Sequence, residues 1–218
     1  MTLKKRYFYG HALLLIFLFL AVNVMLQTSW LTRMDHQLQT QLATTSTINI
    51  TIFKTIAFLG SPATVMVLTA ILCGYLWFYR SPAYSIWIAT IQLTGAGIVE
   101  VIKYIVQRAR PLHQIVPDTG FSFPSGHTFC TTIFICTLLM VGLPLIKDQE
   151  KQLAVTLMAI VWLLMVAASR IVLRDHFPSD VLGSLLMAGA FWLLFIPQEA
   201  FILGIMKRQL FKGWSSKL

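Results

Sequence analysis

Six stretches of this chain are apolar for about twenty residues each, the length a helix needs to cross roughly 30 Å of hydrocarbon. They fall at about 8–28, 61–79, 83–105, 128–146, 153–172 and 179–197, each close to that spanning length. A backbone inside lipid must satisfy its own hydrogen bonds, so each run is expected as a helix. The fold class that follows is all-α, a polytopic membrane protein with six transmembrane helices. Of the 218 residues, 57% are hydrophobic and 11% charged, against about 25% charged in soluble domains. The spans absorb nearly the whole length, which reads as a single membrane domain over residues 1–218. The first run follows Lys4-Lys5-Arg6 and ends without a small-x-small cleavage site, so it reads as an uncleaved anchor.

Lysine and arginine bias sets the expected orientation. With six spans, one side carries the ten residues Lys4, Lys5, Arg6, Arg80, Lys147, Lys151, Lys207, Arg208, Lys212 and Lys217. The other side carries the seven residues Arg33, Lys54, Lys103, Arg108, Arg110, Arg170 and Arg174. The richer side is expected to be cytoplasmic, with both termini, in the cell membrane. The net charge of +9 is explained by these helix ends and anionic lipid headgroups, with no nucleic acid partner. Residues 198–218 read as a basic cytoplasmic tail, with Phe211 and Trp214 as interfacial anchors. The stretch from Thr28 to Gly60 is the long non-membrane segment, and its second half is expected as a short interfacial helix. The Asn49-Ile50-Thr51 triplet fits a glycosylation acceptor and is taken as coincidence. Cys73, Cys130 and Cys136 lack metal-ligand spacing and read as small buried hydrophobes.

Ionisable groups near a bilayer are costly and mark functional sites by default. Here they gather in Lys103 with Arg110-Pro111, in Pro124-Ser125-Gly126-His127, and in Ser169-Arg170 with His176 and Asp180. The spans place all of them at one end of the third to sixth membrane helices, on the outward side. If the last span begins near His176, then Asp180 lies on the same helical face and can orient one imidazole nitrogen. The other nitrogen is left free as a nucleophile. Ser125 and Gly126 at a helix start can present N–H groups and a hydroxyl to an anion, with His127 beside it to protonate a leaving oxygen. Lys103, Arg110 and Arg170 add cations, arginine favouring bidentate contact with phosphate.

The pattern Lys103-x6-Arg110-Pro111, Pro124-Ser125-Gly126-His127 and Ser169-Arg170-x5-His176-x3-Asp180 resembles the signature of the type 2 phosphatidic acid phosphatase (PAP2) family, bacterial membrane lipid phosphatase branch. The resemblance covers roughly residues 50–197. It implies that His176 forms a phosphohistidine, that Asp180 orients it and that His127 protonates the leaving group. It also implies that Lys103, Arg110, Ser125, Gly126 and Arg170 bind the phosphoryl oxygens, with no metal and no cofactor. The substrate implied is a membrane lipid phosphate: phosphatidylglycerophosphate, phosphatidate or undecaprenyl diphosphate. A phosphotransferase passing the group to a sugar or lipid hydroxyl is the second reading, and a non-catalytic lipid transporter or binding protein the third.

Three local expectations accompany these. Arg174 and Asp175, as adjacent opposite charges, read as a solvated pair. Glu100, one turn before Lys103, reads as its ion-pair partner. His113 and Arg108 are expected to touch substrate beyond the phosphate, while His11 and His36 carry no role.

Overall fold

The computed structural model describes residues 2–42 and 46–195. The basic tail from residue 198 onward, with Phe211 and Trp214, lies outside the described residues. Those described form eight α-helices and no strand: α1 (Leu3–Met25), α2 (Ser29–Gln41), α3 (Thr47–Leu59), α4 (Pro62–Tyr79), α5 (Pro82–Val106), α6 (Gly126–Gly142), α7 (Gln149–Val172) and α8 (Pro178–Phe195). Six helices are long and apolar enough to cross a membrane, namely α1, α4, α5, α6 with its short 3-10 extension, α7 and α8. The chain is a multi-pass membrane protein, as the six apolar runs require.

Helix starts follow the capping rules. Ser61 accepts from the Thr64 N–H ahead of Pro62, and Asp148 accepts from the N–H groups of Glu150 and Lys151. Pro62, Pro82 and Pro178 each occupy a first turn, where the missing N–H costs nothing. α8 is the central strut, packing against α1 and α6, while α4 lies along α5 and α3 along α7. Small residues permit the close approaches. A side chain at Gly183 would come within 2.6 Å of the Phe123 ring, which also stacks on Phe17 of α1 at 5.8 Å. Phe123 is thereby wedged between α1 and α8, fixing the chain immediately before Pro124-Ser125. Ser184 and Ala188, small residues one turn apart, are both fully buried on α8.

The segment from Thr28 to Gly60 differs from expectation in its first half. The second half is the short helix α3, but the first half is helical too, as α2. Its polar composition hid it. Leu31, Met34 and Leu38 nevertheless lie at helical spacing, and Leu31 is buried while Met34 packs on the core. The 107–125 connection, α2 and α3 cover the end of the bundle where α5, α7 and α1 finish and α6 and α8 begin.

Candidate active site

That end gathers the motif residues. Lys103 sits in the last turn of α5, Ser125 caps α6, Arg170 lies in the last turn of α7 and Asp180 in the first turn of α8. α8 begins at Pro178 and not at His176, which lies in the five-residue link from α7. There its N–H donates to the Arg170 carbonyl at 3.1 Å, which turns the ring inward. Its Nδ1 still faces Asp180, at 3.5 Å from Oδ2, longer than a formed hydrogen bond. Asp180 Oδ2 accepts from the Phe177 N–H at 2.8 Å, and Oδ1 accepts from Arg108 at 2.5 Å. The carboxylate is therefore held rigidly on the side of the ring opposite Arg110.

The opposite nitrogen, His176 Nε2, lies 3.3 Å from Arg110 Nη1. Arg110 is itself locked by the loop it belongs to, donating to the carbonyls of Gly120 (3.1 Å), Thr119 (2.9 Å) and Asp175 (3.0 Å). Burial pushes the His176 imidazolium down to about 4, with Asp180 opposing the shift and Arg170 and Arg110 reinforcing it. At neutral pH the ring carries a free lone pair. Burial also pushes the neighbouring Asp175 carboxyl up to about 6, against the pull of Arg170.

Beside these residues opens a cavity of about 460 Å³ lined by His127, Arg170, Asp175, Asp118, Lys54 and Phe58 among others. His127 and Arg170 thus face one space, roofed by α3 and by the 115–118 loop. The carboxylate of Asp118 stands between two guanidiniums, 3.1 Å from Arg110 and 3.3 Å from Arg170. It is an anion bridging two of the cations assigned to phosphate, and its sequence context carried no signal of this. Lys103 pairs with Glu100 at 2.8 Å, as expected, and its Nζ lies 3.6 Å from the position a side chain at Gly126 would take. Among the described residues no group of three or more His, Cys, Asp or Glu forms a metal-binding cluster.

The structure adds detail at Ser125 and Arg108 and corrects the reading of Arg174 with Asp175. Ser125 is fully buried. Its oxygen caps Thr128, and its N–H donates to the Asp180 carbonyl at 3.3 Å. The first-turn N–H groups of Gly126 and His127 are the ones without a helical carbonyl. Arg174 and Asp175 are not a solvated pair, because the turn at Arg174 (φ 59°) separates them. Asp175 is fully buried and pairs with Arg170 at 3.0 Å, whereas Arg174 borders a smaller cavity with His36 and His113. Arg108, expected to touch substrate, is held by ion pairs to Asp35 and Asp180 behind the His176 ring.

Residues 84–202 match the PAP2 superfamily. The match starts inside α5. The chain is 29% identical over 167 residues to Phosphatidylglycerophosphatase B of Bacillus subtilis, an alignment spanning 75% of this chain and 73% of that protein. To Phosphatidylglycerophosphatase B of Haemophilus influenzae it is 36% identical over 87 residues, 38% of this chain and 33% of that one. The crystal structure of a transmembrane PAP2 type phosphatidylglycerolphosphate phosphatase from Bacillus subtilis shares the fold, with a TM-score of 0.75 over 88% of this chain and 97% of that one at 24% identity. On its family match and its six apolar helices, the chain belongs to the PAP2 superfamily and is one of its membrane phosphatases.

Proposed function

We propose that the protein hydrolyses the phosphomonoester of a membrane lipid, phosphatidylglycerophosphate first among the candidates, through a phosphohistidine at His176. The observation that carries this reading is the sandwich around one imidazole: Asp180 on the Nδ1 side at 3.5 Å and Arg110 at Nε2 at 3.3 Å. In the first step His176 Nε2 attacks phosphorus, a P–N bond forms and the P–O bond to the lipid breaks. His127 gives its proton to the departing alkoxide. Asp180 steadies the positive charge that grows on the His176 ring. In the second step water attacks phosphorus, His127 takes the water proton, and the P–N bond breaks to release phosphate.

Arg110 and Arg170 hold the equatorial oxygens, and phosphate takes the place between them that the Asp118 carboxylate occupies. Lys103 joins by exchanging Glu100 for the phosphoryl group, and the N–H groups of Gly126 and His127 contribute from the helix start. The fixed cations supply the charge stabilisation that Mg²⁺ gives other phosphoryl transfers, without a metal. The lipid tail stays in the bilayer while its headgroup meets the site on the outward side. Phosphatidylglycerophosphate leads because it names the activity of both curated relatives.

The test is phosphate release from phosphatidylglycerophosphate, phosphatidate and undecaprenyl diphosphate in detergent, with EDTA present and no added acceptor. Fastest turnover of phosphatidylglycerophosphate, abolished in His176→Ala, is expected. Release that requires an acceptor hydroxyl would identify a phosphotransferase instead.

A further inference from the structure

Behind Asp180 lies a second tier of buried charge that none of the motif residues explains. Asp35, on α2, is fully buried. Its Oδ1 accepts from the Ser179 N–H at 2.9 Å, and its Oδ2 accepts from the Ser179 hydroxyl at 2.6 Å and from Arg108 Nη2 at 2.6 Å. The other arm of the same guanidinium, Nη1, donates to Asp180 and to the Ser179 hydroxyl at 2.7 Å. The Arg108 guanidinium lies over the Phe177 ring at 4.2 Å, and the Phe177 N–H bonds the second oxygen of Asp180. One cation is thus shared by two buried carboxylates, leaving a net negative charge on the far side of His176.

We propose that Asp35 is a positioning residue for the phosphatase reaction, acting through Arg108 to set the orientation and effective charge of Asp180 against His176. Burying an ionised carboxylate is costly unless it is paired and hydrogen-bonded. Two well-packed apolar residues would tie α2 to α8 as firmly, so the retained charges point to the work they do beside the imidazole. Without Asp35, Arg108 would give its whole charge to Asp180. The aspartate would then support less positive charge on the ring as the P–N bond forms. The inference rests on the reading of His176 as nucleophile.

The test compares Asp35→Asn, Asp35→Glu and Leu31→Ala with wild type on phosphatidylglycerophosphate micelles, recording kcat, KM and the pH dependence of kcat/KM. Leu31, buried on the same helix, loosens α2 without touching the charges. Asp35→Asn is expected to lower kcat about tenfold, in the range for partners one layer behind a reacting group, with KM little changed. The acid limb should also move to lower pH, because removing a negative charge makes the His176 ring harder to protonate. The charged groups around that ring are Asp180 on α8, Arg110 and Asp118 on the connecting loop, Arg170 on α7 with Asp175 beside it, and His127 on α6. None of these is altered in the comparison. Asp35→Glu should keep the wild-type limb, and Leu31→Ala should change only the yield of active protein.

An unchanged kcat and limb in Asp35→Asn would overturn the proposal. So would a loss matched by Leu31→Ala with no movement of the limb, since that is a tether alone. Should Asp35→Asn fail to fold, Arg108→Lys tests the same link, because an ammonium cannot fork between two carboxylates. It must lose kcat at constant KM, and full kcat would overturn the proposal. Residual turnover in His176→Ala, assayed alongside, would instead mark failure of the nucleophile assignment.

Discussion

Arg110 Nη1 lies 3.3 Å from His176 Nε2, so a guanidinium stands over the ring nitrogen opposite the one that faces Asp180. In the proposed reaction, a phosphoryl oxygen held by Arg110 brings phosphorus to the Nε2 lone pair that attacks it. The same contact means that phosphate must enter between the guanidinium and its present partners.

The two imidazoles should separate by leaving group. If His127 protonates the departing oxygen, an activated aryl phosphate needs it far less than a lipid alkyl phosphate. In kcat/KM, which reports formation of the phosphoenzyme and not its hydrolysis, His127→Ala is expected to lose about 10²–10⁴-fold on the lipid substrate and much less on the aryl phosphate, while His176→Ala is inactive on both. Steady-state kinetics on the two substrates decides this. Equal losses for His127→Ala would show that it is not the acid.

Asp118 pairs with Arg110 and Arg170, at 3.1 and 3.3 Å, and in the proposed binding mode competes with phosphate for them. The carboxylate is partly exposed while both guanidiniums are buried, and the bridge must be broken before phosphate can take its place. Asp118→Asn is expected to lower the inhibition constant for inorganic phosphate about two- to fivefold, with the fold intact. An inhibition constant that rises would mean the carboxylate assists binding.

Asp175 gives a pH signature in stability. Its carboxyl is raised from 3.8 to about 6 by burial, so the folded state holds its proton more tightly than the unfolded chain does. Its contribution is present at low pH and is lost as pH rises through about 6. Asp175→Asn should therefore melt higher than wild type above that pH and gain nothing well below it. Thermal unfolding in detergent across the range measures this, and a gain confined to acid pH would contradict it.

Orientation follows from charge. Thr119 is exposed in the loop over the site, and Lys147 is exposed in the link between α6 and α7 at the other end. On intact cells an impermeant thiol reagent should label Thr119→Cys and not Lys147→Cys, in a background lacking Cys73, Cys130 and Cys136. The reverse pattern would place the chemistry on the cytoplasmic side.

The six spans were legible because hydrocarbon demands long apolar runs, and the motif residues because ionisable groups are sparse in such runs. What escaped was carried by long-range geometry. Asp35 lies 144 residues from Ser179, and in sequence it looks like any polar residue of an outward loop. Asp118 reads as a turn residue until the loop folds back over Arg170. Arg174 and Asp175 misled because adjacency suggests pairing, whereas the left-handed turn at Arg174 sends them to different cavities. Ser125 has a second task that its motif does not announce, as an N-cap whose hydroxyl oxygen accepts from the Thr128 N–H of its own helix.

The proposed covalent intermediate on His176 can be trapped by rapid quenching of the enzyme with a substrate labelled in its terminal phosphate. Label that stays on the protein in alkali, leaves in acid, maps to the peptide containing His176 and vanishes in His176→Ala is the expected result. With the aryl phosphate, His127→Ala should accumulate this label, because the water that discharges it has lost its base. Turnover of the wild type with no label trapped on the shortest timescale, or label retained in His176→Ala, would contradict it.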